Sequence, residues 1–323
     1  MKKRIGVLTS GGDAPGMNAA IRAIVRTALY KNYEVLGIKY GYKGLINNDM
    51  IPLNHHSVAN IIQRGGTVIG TARCNEFETD KGMGKAKKIM EKNRIDSIIV
   101  IGGDGTLRGA QEFSEKYGAK IVGLPGTIDN DLYGTDFTIG FDTAINSALE
   151  AVDRIRDTAS SLERVFFIEV MGRYAGFISL AVGLAGGAED VIIPETRTDI
   201  KEIAQTIMGN IKKGKKSNII IVAEGDEAGN ALTIARKVKK LTGEDYRVAV
   251  LGYIQRGGTP SANDRILASR LGYAAVEAIE SERYGVMVGE MNHEIVYTPF
   301  DQTYTIKKPI EDYLYKMIKV LSG

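Results

Sequence analysis

Ser97-Ile98-Ile99-Val100-Ile101-Gly102-Gly103-Asp104-Gly105-Thr106 is the stretch whose reading decides the fold. Four consecutive β-branched residues run without alternation into three glycines placed around one acid. An unbroken Val/Ile run is what a parallel strand needs when both of its faces are covered. A glycine-rich turn at its end lets the next helix begin with its N–H groups exposed. The same grammar recurs along the chain. Strands are predicted at Ile5–Leu8, Val35–Ile38, Ile121–Leu124, Val165–Val170, Val191–Ile193, Asn218–Ala223 and Val248–Leu251, as well as Ser97–Ile101. Helical spacing fills the gaps, as in Met17–Tyr30 and in Ala144, Ile145, Ala148, Leu149, Val152 and Ile155. This alternation predicts an α/β protein with mostly parallel sheets. A length of 323 residues favours two layered α/β domains over one very wide sheet.

Composition narrows the function. The 42 Lys and Arg against 39 Asp and Glu leave a net charge of +3, too small for a nucleic-acid coat. The apolar run behind Met1-Lys2-Lys3-Arg4 is only four residues long, so neither a secretory leader nor a membrane span is expected. Cys74 is the single cysteine and has no internal partner, which suits a reducing cytoplasm. The three histidines, His55, His56 and His293, show no metal-ligand spacing.

In open α/β sheets ligands gather at the carboxyl ends of strands, and five junctions stand out there. Thr9-Ser10-Gly11-Gly12-Asp13-Ala14-Pro15-Gly16-Met17-Asn18 lacks the Walker lysine and the dinucleotide glycine spacing. It reads equally as a tight turn or as a phosphate cradle. Gly102–Thr106 offers glycines for close approach of a triphosphate, and Asp104 is a carboxylate able to hold Mg²⁺. In Pro125-Gly126-Thr127-Ile128-Asp129-Asn130-Asp131, one acid can take a proton from a substrate hydroxyl while another orients it. Met171-Gly172-Arg173 and Gln255-Arg256-Gly257-Gly258 each add an arginine suited to a transferring phosphoryl group, although a lone Arg173 also fits a surface ion pair. Arg73, Arg164 and Arg247 suit anion binding. The loop Lys212-Lys213-Gly214-Lys215-Lys216 reads first as a solvated helix end. Taken together, the residues describe a Mg-nucleotide kinase acting on a phosphorylated acceptor.

At these motifs, in this order and spacing, the sequence resembles the bacterial ATP-dependent 6-phosphofructokinases from Ile5 to about Gly272. Gly-Gly-Asp-Gly-Thr also occurs in NAD kinases and diacylglycerol kinases. Its combination with Pro-Gly-Thr-Ile-Asp-Asn-Asp separates the chain from them. The resemblance implies transfer of the ATP γ-phosphoryl to the 1-hydroxyl of fructose 6-phosphate, the committed step of glycolysis. It implies an ATP-binding domain of residues 1–138 plus 254–305 and a fructose 6-phosphate domain of residues 139–253 plus 306–323, with the site in the cleft between them. Asp129 would be the base, aided by Thr127, Arg73 and Arg173, and Asp104 would hold Mg²⁺. Gly12, Arg73, Cys74, Gly103, Asp104, Gly105 and Thr106 would line the ATP site. Thr127, Ile128, Asp129, Met171, Gly172, Arg173, Glu224, Tyr253 and Arg256 would hold the sugar phosphate. Arg164 and Arg247 would reach the 6-phosphate of a neighbouring subunit, which implies a homo-oligomer, typically a homotetramer. An effector site for ADP or phosphoenolpyruvate would involve Arg22, Arg26, Arg156, Gly187, Glu189, Lys213 and Lys215.

Three departures qualify the likeness. Tyr253 stands where the family usually has His, and His55 and Asn60 stand where an Arg and an Asp are common in the effector pocket. The resemblance therefore implies altered effector control. Pyrophosphate-using relatives tend to carry Asp at the position of Gly105 and Lys at that of Gly126, so both glycines point to ATP as donor. The alternatives are a pyrophosphate-dependent enzyme and a catalytically silent sensor. Neither a nucleic acid nor a membrane is expected as a partner.

Overall fold

The computed structural model describes residues 2–322. Along the chain run β1 (Arg4–Thr9), α1 (Met17–Tyr30), β2 (Glu34–Ile38), α2 (Tyr42–Asn47), β3 (Met50–Leu53), α3 (Asp80–Lys92), β4 (Ser97–Gly102), α4 (Asp104–Tyr117) and β5 (Ile121–Pro125). They are followed by α5 (Phe141–Leu162), β6 (Val165–Val170), α6 (Phe177–Ala185), β7 (Asp190–Ile192), α7 (Ile200–Lys212), β8 (Asn218–Ala223), α8 (Ala231–Thr242) and β9 (Tyr246–Val250). The last elements are α9 (Ala262–Glu280), β10 (Val286–Met291), β11 (Glu294–Pro299), α10 (Phe300–Thr305) and α11 (Asp312–Leu321). The α/β class with mostly parallel sheets is as expected, and all eight predicted strands are present within two residues of their predicted ends.

The chain divides into two units. The first comprises residues up to Ile128, Leu132–Thr143 and Arg256–Lys308; the second comprises Asp129–Asp131, Ala144–Gln255 and the residues from Pro309. The first unit is built on a seven-stranded sheet of order β11-β10-β5-β4-β1-β2-β3. Its five central strands are parallel. β2 lies on one side of β1 and β4 on the other, so the order of winding reverses between β1 and β4. That is the point where the crossover helices leave a crevice beyond the strand ends. The β4 strand is wholly buried, as its unbroken apolar run requires. Around it pack Leu107, Phe113 and Phe300, all fully buried. Burial of a side chain the size of Phe300 stabilises this unit by roughly 1.5–3 kcal/mol.

The second unit holds a four-stranded parallel sheet of order β7-β8-β6-β9. Its core is formed by Phe167, Ile220 and Val222 with Ile203, Ile207, Ile234 and Val238 from α7 and α8. Its winding reverses at β6, which lies between β8 and β9. One expectation needs correction here. The apolar run at Val248–Leu251 predicts a strand covered on both faces, but β9 is an edge strand with no fully buried residue and Val250 62% exposed.

Three strands of the first sheet escaped the sequence reading. β3 is an antiparallel edge strand that contains Pro52, a residue tolerated where no neighbour needs its missing N–H. β10 and β11 form a hairpin whose loop residues, Asn292 and His293, both take positive φ (51° and 66°). A two-residue loop of that kind matches the strand twist, but Asn-His is not the usual Asn-Gly signal. No helix among the described residues is long and apolar enough to cross a membrane.

Candidate active site

In the first unit, neighbouring strand ends assemble the glycine loops into one surface. The Ser10 N–H donates to the Ile101 carbonyl (3.1 Å), so the loop after β1 continues the pairing with β4 for one more residue. The Thr106 hydroxyl, one turn into α4, donates back to the Ser10 carbonyl (3.0 Å). This close approach dictates Gly102. A Cβ there would lie 2.3 Å from Thr106 Oγ1 and 2.6 Å from the Ser10 carbonyl oxygen. The Tyr42 hydroxyl, which the sequence reading overlooked, donates to the Thr106 carbonyl (2.8 Å) while its ring stacks on Phe77. On the other side of β4, Gly126 N–H donates to the Gly102 carbonyl (3.0 Å), and a Cβ on Gly103 would face Thr127 at 3.5 Å. The loops of β1, β4 and β5 therefore stand side by side.

Asp104 occupies the first turn of α4, half-buried, beside the exposed Gly105. A Cβ on Gly105 would meet no atom within 4 Å, so the space above this helix end is open. That space faces the positive end of the helix dipole, which suits an anion. No group of three or more His, Cys, Asp or Glu side chains among the described residues is arranged to hold a metal ion. One hard carboxylate next to an anion-binding helix end nevertheless fits Mg²⁺, which is commonly held by one or two carboxylates together with substrate phosphates.

Two further segments close on the first loop. The Thr71 hydroxyl donates to the Gly11 carbonyl (2.9 Å), which brings exposed Arg73 and half-buried Cys74 to this face. Arg256 Nη1 donates to the Asp13 carbonyl (3.1 Å), and a Cβ on Gly12 would lie 2.5 Å from that nitrogen. Gly12, Arg73, Cys74, Gly103–Thr106, Thr127 and Arg256 are thus brought to one end of one sheet. Ile128 is fully buried in this unit. Asp129 and Asn130, grouped with the second unit, are each only 4% exposed.

In the second unit the strand ends at β6, β8 and β9 carry the other candidates. The Glu224 N–H donates to the Val170 carbonyl and the Leu251 N–H to the Glu169 carbonyl (both 3.0 Å). The Glu224 carboxylate accepts the Arg173 N–H (2.9 Å). Arg173 itself has φ +53°. For a bulky side chain that conformation costs of order 1–3 kcal/mol. Met171 and Gly172 are buried beside it, and Tyr253 is 81% exposed.

Arg164 and Arg247 lie elsewhere. They sit at the amino ends of β6 and β9, where Phe166 pairs with Arg247. The Asp245 carboxyl is held below its usual pKa chiefly by Lys239, with Arg247 and Arg164 contributing. The two arginines therefore share one electrostatic neighbourhood. The length of β6 separates them from Met171 by roughly 17 Å for Arg247, level with Phe166, and roughly 23 Å for Arg164.

The effector candidates divide similarly. In the second unit Glu189, 4% exposed, faces Arg156 (3.9 Å) and Lys215 (3.5 Å) and accepts the Ile219 N–H. Arg156 also donates to the Gly187 carbonyl (2.7 Å), and Lys213 is exposed nearby in sequence at the end of α7. In the first unit Arg22 and Arg26 lie one turn apart on α1. Burial, and then the charge of Arg26, lower the pKa of Arg22. His55 and Asn60 are exposed.

The sequence profile described as Phosphofructokinase matches residues 4–279. The chain is also 56% identical over 320 residues to the ATP-dependent 6-phosphofructokinase 1 of Thermus thermophilus, covering 99% of both chains. The chain belongs to the phosphofructokinase family. Among solved structures, the phosphofructokinase of Saccharomyces cerevisiae superposes with a TM-score of 0.91 at 34% identity, over 98% of this chain. The chain spans about half the length of that yeast chain. A pyrophosphate-dependent phosphofructokinase from Marinobacter aquaeolei superposes with a TM-score of 0.83 at 24% identity over 96% of this chain, a likeness of fold. Enzymes named for different phosphoryl donors thus share this family fold, so the donor must be argued from individual side chains.

The Thr106–Ser10 bond gives a first test of the geometry. Thr106→Val leaves the buried Ser10 carbonyl without this donor, and unfolding in urea is expected to show a loss of about 1–3 kcal/mol.

Proposed function

We propose that the chain transfers the γ-phosphoryl of Mg-ATP to the 1-hydroxyl of fructose 6-phosphate, giving fructose 1,6-bisphosphate and ADP. The observation that carries this reading is the adjacency of Gly102–Thr106 and Pro125–Thr127 at neighbouring strand ends, within a chain 56% identical to an ATP-dependent 6-phosphofructokinase. The first unit then corresponds to the ATP-binding domain and the second to the sugar-phosphate domain.

Phosphoryl transfer needs positioning and charge neutralisation more than covalent chemistry. Asp129 takes the proton of the attacking 1-hydroxyl, and its burial keeps bulk water from competing for that proton. Thr127 orients the acceptor. Arg73 and Arg173 neutralise charge on the transferring group. Gly12, Cys74 and Gly103–Thr106 line the nucleotide site, and Asp104 is the residue that would hold Mg²⁺. When bound, that ion supplies charge neutralisation along the triphosphate. Ile128, Met171, Gly172, Glu224, Tyr253 and Arg256 hold the sugar phosphate.

Arg164 and Arg247 sit at the opposite end of β6 from Met171–Arg173, so they are out of reach of the sugar phosphate that their own chain binds there. The exposed Arg247 on the open β9 edge, with half-buried Arg164 at the start of the adjacent β6, supports a role toward a neighbouring copy, hence a homo-oligomer, with a homotetramer as the expected form. The Glu189, Arg156, Lys215 and Gly187 cluster supports an anionic effector such as ADP or phosphoenolpyruvate, acting with Arg22, Arg26 and Lys213. A cytoplasmic location suits these substrates.

Gly105 and Gly126 support ATP as donor for different physical reasons. Gly126 has no room for a side chain, since its Cβ would lie 2.7 Å from Ile101 Cγ2 and 3.1 Å from Met17 Cε. Gly105 has room, and the space it leaves is available to the nucleotide.

Three measurements test the reading. Purified chain with Mg²⁺ and fructose 6-phosphate is expected to turn over ATP and not pyrophosphate; turnover with pyrophosphate overturns the donor assignment. Asp129→Asn is expected to lower kcat by about 10²–10⁴-fold, the range for loss of a general base, with substrate affinities nearly unchanged. Gly105→Asp is expected to leave the melting temperature unchanged but to lower kcat/KM for ATP by at least about tenfold, as charge-assisted phosphate contacts are lost.

A further inference from the structure

Asp264 is a charged side chain only 1% exposed, and none of the candidate nucleotide, sugar or effector contacts uses it. It belongs to the first turn of α9, yet its carboxylate serves a different helix. Oδ1 accepts the Gly140 N–H (2.7 Å), and Oδ2 accepts both the Thr143 N–H (2.8 Å) and the Thr143 hydroxyl (2.5 Å). These are orphan donors at the start of α5, so Asp264 caps that helix from outside. Burial raises the Asp264 pKa, and the hydrogen bonds from Thr143 and Gly140 oppose the rise. The network continues through Thr143 Oγ1, which accepts the Ser261 N–H (2.9 Å). The Ser261 hydroxyl then caps α9 by accepting the Asp264 N–H (3.2 Å) and donates to the Asp142 carboxylate (2.5 Å).

Three loops have their roots in this knot. The loop that contains Thr127 and Asp129 returns to it at Gly140. It is stapled on the way by Thr138 Oγ1 to the Thr127 carbonyl (2.6 Å) and by Ile139 N–H to the Pro125 carbonyl (2.8 Å). The loop that contains Arg256 enters it at Ser261. The glycine loop after β1 ends against it at Gly16, where a Cβ would lie 2.7 Å from Ile139 Cγ2 and 3.5 Å from the Asp264 carbonyl oxygen. A plain helix cap needs only the contacts to α5; the bridge through Thr143 to Ser261 adds a link between loops.

We infer that Asp264, acting through Gly140, Thr143 and Ser261, is a positioning residue that holds the Pro125–Thr127 segment in register with the Arg256 loop and the β1 glycine loop. The inference rests on the proposed phosphoryl transfer, because it gives those loops their roles. A displacement of about 1 Å at a reacting centre can cost about 100-fold in rate, so the latch matters for kcat beyond its contribution to folding.

The test uses the full-length chain and two variants at 25 °C. Asp264→Asn keeps the shape of the side chain but removes the charge and one acceptor oxygen. Thr143→Val keeps both backbone caps on α5 and removes only the Thr143 hydroxyl, with its bond to Asp264 Oδ2 and the one it accepts from Ser261. Both variants are expected to fold by circular dichroism and to lose about 10- to 100-fold in kcat. Dissociation constants for Mg-ATP and fructose 6-phosphate, read by calorimetry, are expected to stay within about threefold, since loop register rather than contact chemistry has changed. A lowered melting temperature with kcat unchanged would reduce Asp264 to a helix cap and overturn the inference. If Asp264→Asn does not fold, Thr143→Val decides alone: a kcat loss supports the latch, and an unchanged kcat removes it. If the parent chain shows no turnover with ATP, the proposed function fails and takes this inference with it. If the parent chain turns over and both variants match it, only the latch fails.

Discussion

The hydrogen bond from Ser10 N–H to the Ile101 carbonyl, one residue past the paired ends of β1 and β4, is the constraint on which the site depends. It holds two strand ends together where the winding of the sheet reverses and the helices on either side diverge. Everything above the sheet follows from that closeness. Thr106 can reach back to Ser10 only because Gly102 has no side chain, and Gly126 can lie on Gly102 only because it has none either. The glycines make the floor of the site thin enough for three loops to share it. The polar side chains then stand on its edges, where a phosphate can meet N–H groups, arginines and one carboxylate.

The second unit repeats the device with different chemistry. Its winding also reverses at a central strand, β6, and its candidates also cluster at carboxyl strand ends. Here the stored strain is in Arg173, held in the left-handed region by a backbone bond to Glu224. The opposite end of the sheet carries Arg164, before β6, and Arg247, on β9, apart from Arg173. A parallel sheet presents two chemically separate ends, and this unit places basic residues at both.

Most of the first sheet was legible in the sequence, because a fully buried parallel strand must be apolar at every position and glycine must follow where a loop turns back closely. The same rule failed for β9, whose Val and Ala residues sit on an open edge, since an apolar run does not state what covers it. β3, β10 and β11 were invisible for another reason. β3 is an edge strand that contains Pro52, Gly289 interrupts the middle of β10, and the Asn292-His293 turn that leads into β11 takes positive φ without a glycine to announce it. The candidate site was legible wherever its residues were contiguous, as in Gly102–Thr106 and Pro125–Asp131. Asp264 was missed. Asp264 lies in the first turn of α9, and nothing local says that its carboxylate caps α5 instead of its own helix.

The sequence by itself determined the fold class, the strand ends that carry the candidate residues and the glycines that permit close approach, because each is set by local covalent sterics and by burial along a few residues. Only the tertiary structure decided which of those ends are neighbours, that Arg164 and Arg247 stand apart from Arg173, and that Asp264 joins loops more than a hundred residues apart. Those are matters of strand order and of which helix start faces which carboxylate. They arise from packing whole elements against one another, and no local stretch of chain contains that information.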